Sequence, residues 1–199
     1  MPTNRYDSTR TGNAILAALA GALLCAAVAT GSALAQQPAP GAGYADEDRD
    51  WGVPPTTRLR QEPYHAPTPR AIPGASVVGT RELQAMLAGP NPPILVDVLS
   101  EEGHVSLAGA VWIAGAGRGE DLTDALQSQL VPLLAQVSGG DKARPMAFFC
   151  ASSQCWLSYN TALRAVAAGY TRVYWYRGGI DSWTEADLPT AKTMAVRKP

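Results

Sequence analysis

From Ser76 onward, short apolar runs alternate with stretches of helical periodicity, and this alternation decides what the chain can fold into. Val77 and Val78 predict a short strand. Thr80 is placed to cap a short helix carrying Leu83, Met86 and Leu87, which closes near Gly89 and Pro90. Ile94-Leu95-Val96-Asp97-Val98-Leu99 predicts a buried strand with one acidic interruption, and Ala110-Val111-Trp112-Ile113 predicts another strand. Leu122, Leu126, Leu130, Leu133 or Leu134, and Val137 share one helical face, and Gly139 with Gly140 stops that helix. A strand over 145–149 precedes a helix over 156–168 that stops at Gly169, and a strand over 172–176 follows, ending at Gly178 and Gly179. A helical turn around Ser182, Trp183 and Thr184 comes last. The implied class is α/β: a single domain with a mainly parallel sheet and helices on both faces. Active sites in such sheets lie beyond the carboxyl ends of strands.

The 199 residues suffice for one domain with a sizeable core, plus a tail. The formal net charge is −1 and no like-charge run or internal repeat is visible, so nothing points to nucleic acid or an anionic membrane surface as a partner. Residues 1–35 read as a secretory signal peptide. Arg5 and Arg10 give a basic start, an apolar run extends from Ala14 to about Ala29, and Ala33-Leu34-Ala35 offers a small-x-small cleavage site before Gln36. An uncleaved anchor is the alternative, because residues 14–35 nearly reach spanning length, but Thr30, Gly31 and Ser32 break the apolar character where a cleavage region belongs. Cys25 follows Leu24 rather than the small residue of a lipoprotein site, and goes with the removed segment. The expected location is the periplasm, with no stable membrane insertion after cleavage. Residues 36–73 form a Pro-rich extended segment, with Trp51 and Tyr64 as candidate docking residues; the domain occupies 74–191 and a tail 192–199.

One strand end carries the chemistry. Phe148-Phe149-Cys150-Ala151-Ser152-Ser153-Gln154-Cys155-Trp156 runs from an apolar strand through a loop of small polar residues into a helix. A thiol there faces backbone N–H groups and a helix dipole, which favour the thiolate, the reactive form of cysteine. Ala151, Ser152, Ser153, Gln154 and Trp156 make up the loop around Cys150, and the two serines add hydroxyl donors. The chain holds three cysteines, and two stand in this loop. In an exported protein that pair also reads as a structural disulfide, although so short a loop stabilises little in the entropic description.

Other residues carry two readings each. Asp97, at a strand end, either supports the cysteine loop or caps nearby backbone N–H groups. His104 is a candidate base or a solvated loop histidine. Gly115, Gly117 and Gly119 lack the strand–helix context of a nucleotide site and read as a flexible loop. Tyr174, Trp175, Tyr176 and Trp183 read as core and rim packing, with an exposed aromatic patch for a partner as the alternative. Histidines and cysteines are too few and scattered for a metal site.

These residues resemble the rhodanese family. The Ile94–Val98 strand ending near an Asp, Gly103-His104 with Gly109-Ala110-Val111, the strand entering Cys150, and Gly169-Tyr170-Thr171-Arg172-Val173-Tyr174 with Gly178-Gly179-Ile180-Asp181-Ser182-Trp183 follow the family's order over residues 74–191. Tyr64-His65-Ala66-Pro67-Thr68-Pro69 and Cys155-Trp156-Leu157-Ser158-Tyr159-Asn160 resemble an exported group within it, named for a CXXCW motif and associated with PQQ-dependent catabolism of alcohols; here the spacing is wider.

The resemblance implies sulfane-sulfur transfer. Cys150 is the catalytic residue, takes sulfur from a small donor as a persulfide and yields it to a thiol or other nucleophile. Where rhodaneses typically close the loop with an Arg or another polar group, this chain has Cys155, which implies a resolving or disulfide partner for Cys150. Three functions follow: a sulfurtransferase, a thiol–disulfide accessory of a periplasmic quinoprotein dehydrogenase system, or a non-catalytic binding module. No cofactor is expected on this chain.

Overall fold

The computed structural model describes residues 44–193. The signal-peptide reading of 1–35 lies outside the described residues. So do the start of the 36–73 segment and most of the 192–199 tail. Elements run β1 (Ser76–Val78), α1 (Thr80–Leu87), β2 (Ile94–Asp97), β3 (Val105–Leu107), β4 (Val111–Trp112), α2 (Ala125–Ser138), β5 (Met146–Phe149), α3 (Trp156–Ala167), β6 (Val173–Tyr176), α4 (Gly179–Glu185) and β7 (Thr190–Lys192).

Five strands form one sheet in the order β1-β6-β5-β2-β4, and every pairing is parallel. β5 is central, with Phe148 opposite Val96 on one side and Trp175 on the other. Parallel strands buried on both faces read as continuous apolar runs, and Met146, Ala147, Phe148 and Phe149 are all fully buried. The two-residue period divides them. Met146, Phe148 and Cys150 join Val96, Val173 and Trp175 in one core with Leu130 and Leu134 of α2 and Leu157, Tyr159 and Leu163 of α3. Ala147, Phe149 and Tyr176 join Leu83 of α1 and Trp183 of α4 in the other. Helices therefore cover both faces, as the alternation predicts, and Cys150 belongs to the α2/α3 face.

The sequence pattern missed one pairing. β3 and β7 form a separate antiparallel ribbon, Ser106 opposite Ala191. Each is three residues long and β7 is exposed throughout, so neither carries an apolar run to announce it.

Thr80 is the first residue of α1 rather than its cap. Gly79 occupies the cap position without a side chain to offer. The cap comes instead from Glu47, whose carboxylate accepts from Thr80 N at 2.9 Å and from Thr80 Oγ1 at 2.6 Å. Glu47→Ala is expected to lower stability by about 1–2 kcal/mol, read from chemical denaturation, because two buried donors lose their acceptor.

Asp124 caps α2 through Gln127 N at 2.8 Å and binds the fully buried Arg164 of α3. Burial works to raise its pKa, but the Arg164 guanidinium and the Gln127 and Glu120 amides outweigh it and hold the carboxyl at about 2, below the ordinary 3.8. A carboxyl depressed in the folded state contributes stability that is complete above pH 3.8 and disappears as pH falls toward 2. Asp124→Asn, which retains a capping side chain, is expected to be less stable at neutral pH and to lose less melting temperature than the native chain across that acid window.

Candidate functional site

β5 delivers Cys150 to the carboxyl edge of the sheet, and the chain turns through 151–154 into α3. The turn is held from the α4 side. Ile180 N donates to Cys150 O at 3.0 Å and Asp181 N to Ala151 O at 2.9 Å. Gly179 makes this approach possible: its φ is +62° and an added Cβ would strike Cys150 O.

The two loop cysteines are joined. Cys150 and Cys155 form a disulfide with Cα atoms 6.3 Å apart, within the usual range for the bond. Cys150 is 1% exposed and Cys155 7%. Behind the bond, the Ser158 hydroxyl lies 3.2 Å from Cys150 Sγ and accepts from Trp175 Nε1 at 3.0 Å. The Ser158 hydroxyl itself donates to Cys155 O at 3.4 Å.

Three amides at the end of the loop are spent elsewhere. Gln154 N donates to Ser152 Oγ, Cys155 N to Ser152 O and Trp156 N to Tyr64 O. Among the described residues no main-chain N–H donates to the Cys150 sulfur in this oxidised state. The polar side-chain group nearest the sulfur in this state is the Ser158 hydroxyl.

The Pro-rich segment covers the loop as a strap rather than hanging free. Ala66 N donates to Gln154 O at 2.9 Å, Thr68 Oγ1 to Ser153 O at 2.6 Å and Trp156 Nε1 to Pro67 O at 3.1 Å. His65 and Cys155 share an isolated antiparallel bridge. α3 meets the strap with side chains acting as a strand edge. Tyr159 Oη both accepts from Thr56 N and donates to Thr56 O, and Asn160 does the same for Arg60 through its amide oxygen and nitrogen. The Tyr64–Pro69 stretch and the Cys155–Asn160 stretch, which stand apart in the sequence, are thus two sides of one contact. Tyr64 packs against the core, as the docking reading expects; Trp51 stacks under Arg49 and is no part of either core.

Arg177, just past β6, fixes the strap from beneath. It is 2% exposed and donates to Thr68 Oγ1 at 3.0 Å, to Thr68 O at 3.1 Å and to Glu47 O. Burial, with a smaller push from Arg70, lowers its pKa from the ordinary arginine value. Sequence reasoning missed Arg177, Ser158 and Arg164. A lone arginine after a strand, a helical serine and an arginine inside a helix carry no spacing signal, since each gains its role from distant partners.

Asp97 is buried but does not touch the cysteine loop. Its carboxylate accepts from Leu99 N at 2.9 Å and binds Ser106 Oγ and His104 Nε2, the latter at 2.6 Å. It fixes the 98–106 segment instead, in keeping with the local-capping alternative. His104 is no solvated histidine: its ring stands edge-on to Trp112 with only 12% of the side chain exposed. The glycine run is not a flexible loop either. Gly117 lies against the Leu157 carbonyl too closely for any Cβ, Asn160 Nδ2 donates to Gly117 O at 2.8 Å, and Arg164 reaches Arg118 O. Tyr176, Trp175 and Trp183 are buried core, as read. Among the described residues no cluster of three or more His, Cys, Asp or Glu stands where it would hold a metal ion.

Beside Cys155 lies a cleft of about 200 Å³, walled by Tyr64, His65, Leu99, Ser100, Arg118 and Ala151 among others. Arg118 and Glu101 line it together, so it carries charges of both signs. A larger cleft of about 350 Å³, between 57–59 and 120–122, contains no sulfur.

A parallel sheet that ends its central strand in a cysteine loop, with helices on both faces, defines an α/β domain organised around one thiol position. The chain belongs to the rhodanese-like domain family, whose pattern matches residues 80–186. No curated protein matches it. Among solved structures it is similar to a thiosulfate sulfurtransferase from Pseudomonas aeruginosa, at 20% identity and TM-score 0.45, over 62% of this chain and 21% of that one. It is also similar to a polysulfide-sulfur transferase homodimer from Wolinella succinogenes, at 20% identity and TM-score 0.41, over 62% of this chain and 80% of that one. The anaerobic ergothioneine biosynthesis enzyme of Chlorobium limicola matches at 19% identity and TM-score 0.48, over 64% of this chain and 34% of that one. The chain thus spans about a fifth of the first protein and a third of the last, and the likeness is one of fold.

Proposed function

We propose that this protein handles sulfane sulfur at Cys150 and that Cys155 resolves the product. The observation that carries the reading is the disulfide itself: the sulfur of Cys155 stands in bonding contact with the one cysteine at the family's strand end. In the reduced protein Cys150 takes a sulfur atom from a persulfide or polysulfide donor and becomes Cys150–S–SH. The Cys155 thiolate then attacks Cys150 Sγ, the bond to the outer sulfur breaks, and hydrosulfide leaves with the electron pair. The product is the disulfide described above, and a dithiol reductant restores the pair. This joins the sulfurtransferase and thiol–disulfide readings in one cycle.

An exported, periplasmic setting supports a cycle that rests in the disulfide form. Association with a PQQ-dependent alcohol-oxidation system, through a quinoprotein dehydrogenase, is the partner we propose on the strength of the Tyr64–Pro69 and Cys155–Asn160 stretches. The test is to mix the reduced protein with a low-molecular-weight persulfide. Release of hydrosulfide in proportion to disulfide formed is expected. A disulfide that survives strong reductant in the native state, with no hydrosulfide released, would leave the non-catalytic module as the better reading.

A further inference from the structure

We infer that Cys155, rather than Cys150, is the sulfur that an incoming thiolate attacks when the disulfide is reduced, and that the cleft beside it admits that thiolate. The inference rests on the disulfide cycle above and adds a direction to it.

The two ends of the bond differ in access. Cys150 is 1% exposed and its sulfur is backed by Ser158, itself held by Trp175. Cys155 is 7% exposed and lines the cleft of about 200 Å³ together with Tyr64, His65, Ser100 and Arg118. Ser100 also lines it, with its Oγ buried and without a hydrogen-bond partner. Arg118 lines the same space, and so does Glu101, so the cleft carries both signs. Its volume of about 200 Å³ has room for a side-chain-sized thiol, such as a cysteine at the tip of a dithiol reductant.

The exchange balances as follows. The incoming thiolate bonds to Cys155 Sγ, the Sγ–Sγ bond breaks, and its electron pair leaves on Cys150. The second thiol of the reductant then displaces Cys155 as a thiolate, so the reductant ends as a disulfide and both loop cysteines end reduced. A leaving thiolate departs faster when its charge is stabilised. Cys150 has a stabilising group at hand: the Ser158 hydroxyl lies 3.2 Å from its sulfur and can turn to it from the Cys155 carbonyl.

Two measurements on the full chain test this. The oxidised protein is treated briefly with 2-mercaptoethanol, acid-quenched and alkylated, and the peptide spanning both cysteines is fragmented. The adduct is expected on Cys155 and the alkyl group on Cys150; the adduct on Cys150 overturns the inference. Separately, Cys150→Ser and Cys155→Ser chains are alkylated over time and read by peptide mass, which keeps Cys25 apart. Cys155 is expected to label at least about tenfold faster than Cys150; equal or reversed rates overturn the inference. Failure of the parent reading looks different: the native chain then gains no hydrogens on reduction, and the cycle and this inference fall together.

Discussion

Cys150→Ala abolishes sulfur uptake: incubated reduced with a persulfide donor, the variant gains no sulfur atom at the loop and releases no hydrosulfide. Loss of the nucleophile in a covalent transfer is expected to lower the rate on the order of a thousandfold or more, whereas changes in its neighbours cost far less. The residual thiol at residue 155 does not replace it. Cys155 sits in the bridge to His65 and lines the cleft, whereas Cys150 ends the central strand with the Ser158 hydroxyl 3.2 Å from its sulfur. The substitution also removes the disulfide, and closing so short a loop is worth about 2 kcal/mol in the entropic description. Because that loss is modest, the variant remains folded, and circular dichroism separates a chemical effect from an unfolding one.

Arg177→Ala releases the strap. The guanidinium makes charge-assisted hydrogen bonds to Thr68 and Glu47 from a fully buried position, and its removal leaves their carbonyls without donors. Truncating a buried charged donor of this kind is expected to cost about 3 kcal/mol, read as a shift in the denaturation midpoint. The functional consequence is larger than the stability figure implies. Thr68 ties the strap to the Ser153 carbonyl, so the loop that follows Cys150 loses part of its cover. Alkylation of Cys150 in the reduced variant is therefore expected to accelerate by about tenfold or more, since accessibility limits a thiol as much as its thiolate fraction does. Arg177→Lys keeps the charge but not the fork, and is expected to fall between the native chain and the alanine variant.

Local physics made much of this fold legible. Met146 to Phe149 and Val173 to Tyr176 are apolar and β-rich enough to be strands on either face, and Gly139, with a φ of +67°, closes α2 where the sequence places a stop. The cysteine loop was legible for the same reason: a strand, a turn and a helix follow each other without a break. What stayed hidden is whatever depends on contact across a long stretch of chain. Glu47 caps a helix thirty-three residues away. Tyr159 and Asn160 look like ordinary helix residues until the strap at Thr56 and Arg60 lies beside them. Asp97 stood at a strand end as expected, but its partners Leu99, His104 and Ser106 turn it toward the adjoining segment, because the two-residue period of β2 sets it on the sheet face opposite Cys150. Prolines in 44–73 keep the chain out of helices, yet nothing in their spacing tells a free linker from one fastened by hydrogen bonds.

Cys155→Ala leaves Cys150 without its resolving partner, and intact mass after exposure of the reduced variant to a persulfide donor examines the proposed chemistry at its source. The expected result is a stable gain of one sulfur atom, mapped to Cys150, while the native chain treated in the same way ends as the Cys150–Cys155 disulfide with hydrosulfide released. A variant that takes up no sulfur, or a native chain that keeps the persulfide instead of closing the bond, contradicts it.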